Sequence, residues 1–464
     1  MDLLITHGIL VTMDPERRII DDGAVAIEGN RITAVGSTTE LVNRYAGVKT
    51  VNATGKVVTP GLVNTHTHLF QGLLKGLGDD RVLVDWFRQV TGPSAVCLTP
   101  EDCYHAARLG CLESIRSGAT TLFDFMYPHN QPGLSEPIIR AFQESGIRGS
   151  FARGYIDYGA EEGVPPQIIE DAQEALADCR QLFERYHESA EGRIYIWVAP
   201  CMIWTQTEEG LRATRRLADE TGMRISIHVA ETPFELENAR RRFGLKDLEY
   251  YASIGLLGPD VLAVHGVYLD DRDIRILKQH DVKLSHNAVS NMYLSSGVAP
   301  IPEMLMSGIT VGLATDGPAS NNNQNMIQTL KFTALLHKVA TKDPTVITAE
   351  KVMEMATIDG ARALGLEDEI GSIEVGKKAD LIILDFTNPF ASPLHHPVST
   401  LVYSAVGDEV EAMIIDGQVV MEEGRVLTMN EEDVVQKAQA AADALAERAG
   451  TAHLRRRPWR ALAY

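Results

Sequence analysis

Pro60-Gly61-Leu62-Val63-Asn64-Thr65-His66-Thr67-His68 sets a pair of histidines at the end of an apolar, β-branched run. The run reads as a buried strand opened by a Pro-Gly turn. Strand side chains repeat with period two, so His66 and His68 face the same side and can reach one ion. Seven more runs of this kind follow: Thr120–Phe125, Ile147–Gly154, Arg193–Pro200, Arg224–Glu231, Val261–Gly266, Val282–Ala288 and Thr310–Gly317. Between them lie longer amphipathic segments such as Pro100–Ser117, Glu208–Thr221, Asp271–His280 and Thr348–Leu364. Alternating strands and helices mark a parallel sheet. Eight such units over roughly 300 residues predict an α/β fold with a (β/α)8 TIM barrel rather than an open sheet.

Outside this region the two ends resemble each other. Residues 3–60 and 371–427 hold short β-type runs punctuated by Gly or Asn-Gly, such as Ala24–Asn30 and Glu411–Val420. They predict one composite β-domain from residues 1–60 plus 366–464, with a C-terminal helix at Glu431–Ala449 and the barrel at 61–365. The one basic cluster, Arg455-Arg456-Arg457-Pro458-Trp459-Arg460, reads as a solvated or subunit-contacting tail.

Catalytic groups of such barrels sit at the carboxyl ends of the strands. Reading only those ends gives His66 and His68, His228 followed by Glu231, His265, His286-Asn287, and Thr315-Asp316-Gly317. Three neutral imidazoles (His66, His68, His228) with the Asp316 carboxylate describe a site for one borderline divalent ion, Zn²⁺ or alternatively Fe²⁺. Small residues beside these positions (Ser226, Ala230, Ala263, Gly312, Ala314) leave room for an ion and a ligand. Taken singly, a strand histidine is usually a satisfied core group, and Asp316 alone could be a helix cap. It is the ordered coincidence of all of them that points to a site. The other histidines are assigned no role, and His129, in a loop after the second strand, reads as a surface residue.

Composition narrows the partners. With 464 residues, 43 basic and 63 acidic side chains, the net charge is −20. Such a surface disfavours nucleic acid and anionic lipid. No apolar run approaches a membrane span, no signal peptide opens the chain, and five cysteines without CxxC spacing read as reduced thiols. A cytoplasmic protein acting on a small molecule, with no nucleic acid and no membrane as partner, is the reading that remains; a homo-oligomer is expected. The zinc signature of nucleic-acid and cytidine deaminases, His-x-Glu with Pro-Cys-x-x-Cys, is absent, because Pro200-Cys201 continues Met202-Ile203-Trp204.

The set Pro60–His68, His228, Glu231, His265 and Thr315-Asp316-Gly317 resembles the amidohydrolase superfamily. Within it, Met355–Arg362, Gly371–Glu374 and Leu394-His395-His396 are similar to atrazine chlorohydrolase and melamine deaminase. His286–Asn291 and Asp316–Asn322 resemble the methylthioadenosine/S-adenosylhomocysteine deaminases. The resemblance implies one metal held by His66, His68, His228 and Asp316, since the fourth strand ends Val198-Ala199-Pro200-Cys201 without the lysine of two-metal members. It implies Glu231 as proton carrier, His265 as the group orienting the attacking water, and Asp316 as a second proton carrier. Gln71 and Trp86 fall where relatives form pocket walls, while Asn291, Ser320 and Asn321 are loop polar residues that either meet substrate or shape turns. The implied activity replaces an exocyclic amino group on a nitrogen heteroaromatic ring (aminotriazine or purine type) with hydroxyl, releasing ammonia. Triazine dechlorination is the alternative, and a non-catalytic scaffold of the same fold is disfavoured by the complete ligand set. Gly317 departs from both triazine enzymes, which resemble one another in carrying a polar side chain there.

Overall fold

The structure, a computed structural model, describes residues 2–456. Arg457, Pro458, Trp459 and Arg460 of the basic cluster lie outside the described residues. Eight parallel strands run in sequence order: β1 Leu62–Thr67, β2 Ala119–Met126, β3 Arg148–Tyr155, β4 Ile194–Pro200, β5 Ile225–Val229, β6 Val261–His265, β7 Lys283–His286 and β8 Val311–Leu313. Each pairs with its neighbour in register, for example Ile225 with Val261 and Thr121 with Arg148. The gap between β8 and β1 is closed mainly by side chains. Thr65 Oγ1 donates to Leu313 O at 3.0 Å, Asn64 Nδ2 to Thr315 Oγ1 at 2.8 Å and Thr67 Oγ1 to Asp316 O at 2.9 Å. Asp316 N adds one backbone bond to His66 O at 3.1 Å. The polar residues of the opening stretch therefore close the barrel, and in doing so they lock His66 beside Asp316.

All eight expected strands exist, but the site-bearing ends of β5, β6 and β8 are shorter than their apolar runs. Ala230, His265 and Asp316 adopt positive φ angles of 48°, 73° and 59°, which end the extended geometry. Non-glycine residues pay about 1–3 kcal/mol each for such conformations, and they persist where surrounding structure over-determines them. The expected helix Thr348–Leu364 is two, Ala349–Met355 and Ile358–Leu364. Thr357 leaves the helical region (φ −128°, ψ −96°), and the Ala356 carbonyl turns to accept from Val63 N at 2.8 Å. The barrel wall takes the bond that an unbroken helix would have kept.

A second sheet joins the two ends of the chain. Val57–Pro60 pairs antiparallel with Leu381–Leu384, and outward from that seam lie Leu3–Val11, Ile19–Glu28 and Arg31–Ser37 on one side, Val410–Ile415, Gln418–Glu422 and Arg425–Val426 on the other. Its core packs Leu3, Ile5, Leu10, Val25, Ile27, Val58, Leu381, Ile383 and Ile414. Arg148 at the start of β3 is buried and donates to both oxygens of Asp380 (2.8 and 3.0 Å), tying the barrel to this sheet. Among the described residues no helix is long and apolar enough to cross a membrane.

Candidate active site

The strand ends bring the expected residues to one place. His66 Nε2 lies 3.2 Å from His68 Nε2, which lies 3.4 Å from His228 Nε2. Asp316 Oδ1 is 3.5 Å from His66 Nε2 and 3.4 Å from His68 Nε2. Ligands on a tetrahedral ion with bonds of about 2.0–2.1 Å sit about 3.4 Å from one another, so these separations are those of a shared coordination sphere. The donor chemistry agrees. His68 Nδ1–H donates to Phe125 O at 2.6 Å and His228 Nδ1–H to Cys201 O at 2.8 Å, which leaves the Nε2 lone pairs directed inward. Asp316 Oδ1 and His66 Nδ1 are buried without a hydrogen-bond partner.

Burial makes all three imidazoles neutral. Desolvation holds His66 below its ordinary pKa and His68 at about 3, the latter helped by the adjacent His66. His228 is pushed well below the usual range, again chiefly by burial and then by the neighbouring rings. For Asp316 burial works upward, yet its contacts with His66, His265 and His68 keep the carboxyl well below the ordinary carboxylate range. Neutral nitrogen donors with one carboxylate are the ligand set that a divalent ion requires.

Glu231 stands beside this cluster, with Oε2 3.5 Å from His265 Nε2 and Oε1 accepting from Ser296 Oγ at 3.4 Å. Burial, and secondarily Asp316, raise its pKa well above that of a surface carboxyl. Its neighbour His265 is oriented through Nδ1, 3.0 Å from Asn291 Oδ1. His68, His228, Glu231, His265 and Asp316 line one pocket with Gln71, Leu83, Trp86, Phe87, Tyr127 and Trp204.

Gln71 and Trp86 are on the wall, as the sequence suggested. Both amide atoms of Gln71 are buried without a partner, and Trp86 is fixed by Nε1–H donation to Ala319 O at 2.8 Å. The loop polar residues lie behind the wall. Ser320 Oγ donates to Asp316 Oδ2 at 2.9 Å, Asn321 Nδ2 to Thr315 O at 2.7 Å, and Asn291 holds His265. Two expectations need correction. His129 is buried rather than on the surface, packed against Ser135 at 3.2 Å. Cys201, read as near the site in sequence only, borders the pocket, because the chain turns inward after β4 so that its carbonyl can meet His228.

Several residues were missed. Ser290 Oγ donates to Asp316 Oδ2 at 2.5 Å, and with Ser320 it occupies that oxygen and leaves Oδ1 for the cluster. Asp124 accepts from Leu69 N at 2.7 Å and pins the turn just past His68. Ser290 stands inside the quoted stretch His286–Asn291, but one sequence gives no sign of which serine faces the carboxylate. Asp124 carries a signal that was available, an acid among the apolar Leu122, Phe123, Phe125 and Met126.

A closed parallel barrel with a His/Asp cluster at its carboxyl mouth and a sheet built from both chain ends defines a class of metal-dependent hydrolases. The chain belongs to the amidohydrolase family, whose profile matches residues 57–420; the imidazolonepropionase-like bacterial composite domain matches residues 23–47. The 5'-deoxyadenosine deaminase of Methanosarcina acetivorans is 40% identical over 97% of this chain and 99% of its own. A 5-methylthioadenosine/S-adenosylhomocysteine deaminase of Desulforudis audaxviator is 39% identical over 92% of this chain and 95% of its own. Among solved structures, an adenosine deaminase from Xanthomonas campestris with bound zinc superposes with a TM-score of 0.90, 29% identity, 96% of this chain and 99% of that one. A mutant atrazine chlorohydrolase from Arthrobacter aurescens, complexed with zinc and atraton, gives 0.89, 27%, 95% and 100%. The chain is thus a hydrolase of this family, and its relatives include adenosine-type deaminases and a triazine hydrolase.

Proposed function

We propose that this protein is a hydrolytic deaminase of adenosine-type substrates, exchanging the exocyclic amine of the purine ring for hydroxyl and releasing ammonia. The observation that carries the reading is Glu231: a buried carboxyl on the pocket wall beside the His/Asp cluster, with Oε2 3.5 Å from His265 Nε2. His66, His68, His228 and Asp316 would hold a divalent ion, zinc in this reading with Fe(II) as the alternative, and that ion would supply Lewis acidity toward the attacking water. Glu231 Oε2 accepts a proton from the attacking water and delivers it to the ring nitrogen next to the carbon under attack, so that the carbon becomes tetrahedral. His265 Nε2, 3.5 Å away, orients the water. Asp316 passes a second proton to the amine, which leaves as ammonia. The aromatic walls of Trp86, Phe87 and Trp204 suit a flat ring, and the free amide of Gln71 is placed to hydrogen-bond a ring nitrogen.

Support for a purine over a triazine comes from the adenosine-type relatives near 40% identity and from Gly317. A Cβ at residue 317 would lie 1.9 Å from Gln71 Oε1, so the Gln71 amide occupies the space that a side chain there would fill. The test is an ammonia-release screen of the purified, metal-analysed protein across adenosine, 5'-deoxyadenosine, guanine, melamine and atrazine. Ammonia from the adenosine compounds is expected. Chloride from atrazine with no ammonia from any nucleoside would overturn the proposal. Gly317→Ala should push Gln71 aside and raise KM about 3–10-fold, the worth of one hydrogen bond, with kcat nearly kept. Steady-state kinetics of Gly317→Ala and Gln71→Ala, alone and combined, check this; the two effects should not add, because both remove one contact.

A further inference from the structure

Glu235 lies outside the pocket wall, one helical turn beyond Glu231, and no step above uses it. It is fully buried, and among the described residues it has no Lys or Arg partner. A buried carboxyl without a cation costs free energy that a leucine at the same place would avoid. As the third residue of the helix Pro233–Phe243, which Thr232 precedes as N-cap, Glu235 would in an ordinary capping box accept from the N-cap amide. Here it reaches one residue further back. Its Oε2 accepts from Glu231 N at 3.1 Å, and its Oε1 accepts from Thr232 Oγ1 at 3.4 Å.

The segment it grips is constrained on both sides. Ala230 holds a left-handed backbone with φ 48°. Its N–H donates to the buried Asp247 Oδ2 at 2.6 Å, and its carbonyl accepts from Tyr268 N at 2.9 Å. This turn after β5 converts the strand direction, which aims His228 at the cluster, into the direction that aims Glu231 at the pocket. Without acceptors for the two successive amides, the strained turn has no reason to persist.

We infer that Glu235, supported by Asp247, is a positioning residue that fixes the Glu231 carboxyl beside His265 by accepting the Glu231 backbone N–H. The inference rests on the deaminase reading for its kinetic arm only. The role belongs to the acceptor oxygens rather than to the charge, since Gln offers an oxygen at the same distance and Leu offers none.

The experiment compares Glu235→Leu, Glu235→Gln and Glu235→Asp with the wild-type protein for metal content, melting temperature, kcat, KM and amide exchange of the peptide containing Glu231. Glu235→Leu should keep its metal and its KM within about twofold, lose about 10–100-fold in kcat, as expected for a misplaced proton carrier, and exchange the Glu231 amide faster. Glu235→Gln should return kcat to within about threefold of wild type. Wild-type kcat in Glu235→Leu overturns the inference, and so does a Glu235→Gln as impaired as Glu235→Leu. If Glu235→Leu does not fold, Glu235→Asp decides: it keeps the acid but draws it back by one methylene, and an unchanged kcat with unchanged exchange overturns the role. Absence of ammonia from the wild-type protein on every substrate would be a failure of the deaminase reading alone. Amide exchange then decides the positioning role: faster exchange at Glu231 in Glu235→Leu with metal retained supports it, and unchanged exchange overturns it.

Discussion

Glu231→Gln should lower ammonia release about 10²–10⁴-fold, the worth of one positioned acid–base group, while the metal stays at wild-type stoichiometry. The substitution is nearly isosteric and Glu231 is outside the His66–His68–His228–Asp316 cluster, so it leaves every ligand in place. It removes the one property the mechanism needs, a carboxyl able to hold and release a proton in a site that burial has made weakly solvating. Gln also keeps an oxygen for Ser296, which now reaches Oε1 at 3.4 Å. The change should therefore appear in kcat, with KM moved by much less. Metal analysis, kcat and KM on the same preparation check the outcome, and near-normal turnover with full metal would remove Glu231 from the mechanism.

The strand ends were legible in the sequence because they obey two strong periodic rules. Period-two alternation put His66 and His68 on one side, and apolar runs of six to eight residues gave all eight barrel strands. Helices such as Glu208–Thr221 were legible for the same reason. What escaped was everything decided across the barrel. The break at Thr357 answers an unpaired amide on Val63, nearly 300 positions earlier, and no local propensity reports that demand. The hydroxyl of Ser290 was hidden because its partner, Asp316, lies in another loop. The left-handed Ala230 and His265 bear residue types that give no sign of positive φ, since the strain is imposed by partners such as Asp247. The loop polar residues Asn291, Ser320 and Asn321 were open between meeting substrate and shaping turns, and the structure bonds them to His265, Asp316 and the Thr315 carbonyl respectively.

Metal removal should have the other large effect, and it separates ligand histidines from the histidine that works on water. Exhaustive dialysis against a chelator should abolish ammonia release, a loss of about 10³-fold or more given the several kcal/mol a metal contributes to such a transition state. Added zinc should restore it; recovery with Fe(II) under anaerobic conditions and not with zinc would assign the alternative ion. The melting temperature should fall on removal and rise again on return, because an ion that binds only the folded chain stabilises it by about 4 kcal/mol at 1,000 times its dissociation constant. The same assay then distinguishes four histidines, His66, His68, His228 and His265, each with its ring centroid 4.7–6.1 Å from those of at least two others. His68→Ala and His228→Ala should lose both the ion and turnover, since His68 Nε2 lies 3.2–3.4 Å from donor atoms of His66, His228 and Asp316 and His228 Nε2 lies 3.4 Å from His68 Nε2. His265 offers a nitrogen within 4.8 Å of donor atoms of His66 and His228, yet His265→Ala should keep the ion and lose turnover, because His265 Nε2 also lies 3.5 Å from Glu231 and its ring is held from behind by Asn291. Loss of the ion in His265→Ala would make His265 a ligand. The orienting role would then need another donor, and Ser296, whose hydroxyl already reaches Glu231, would be the residue to test.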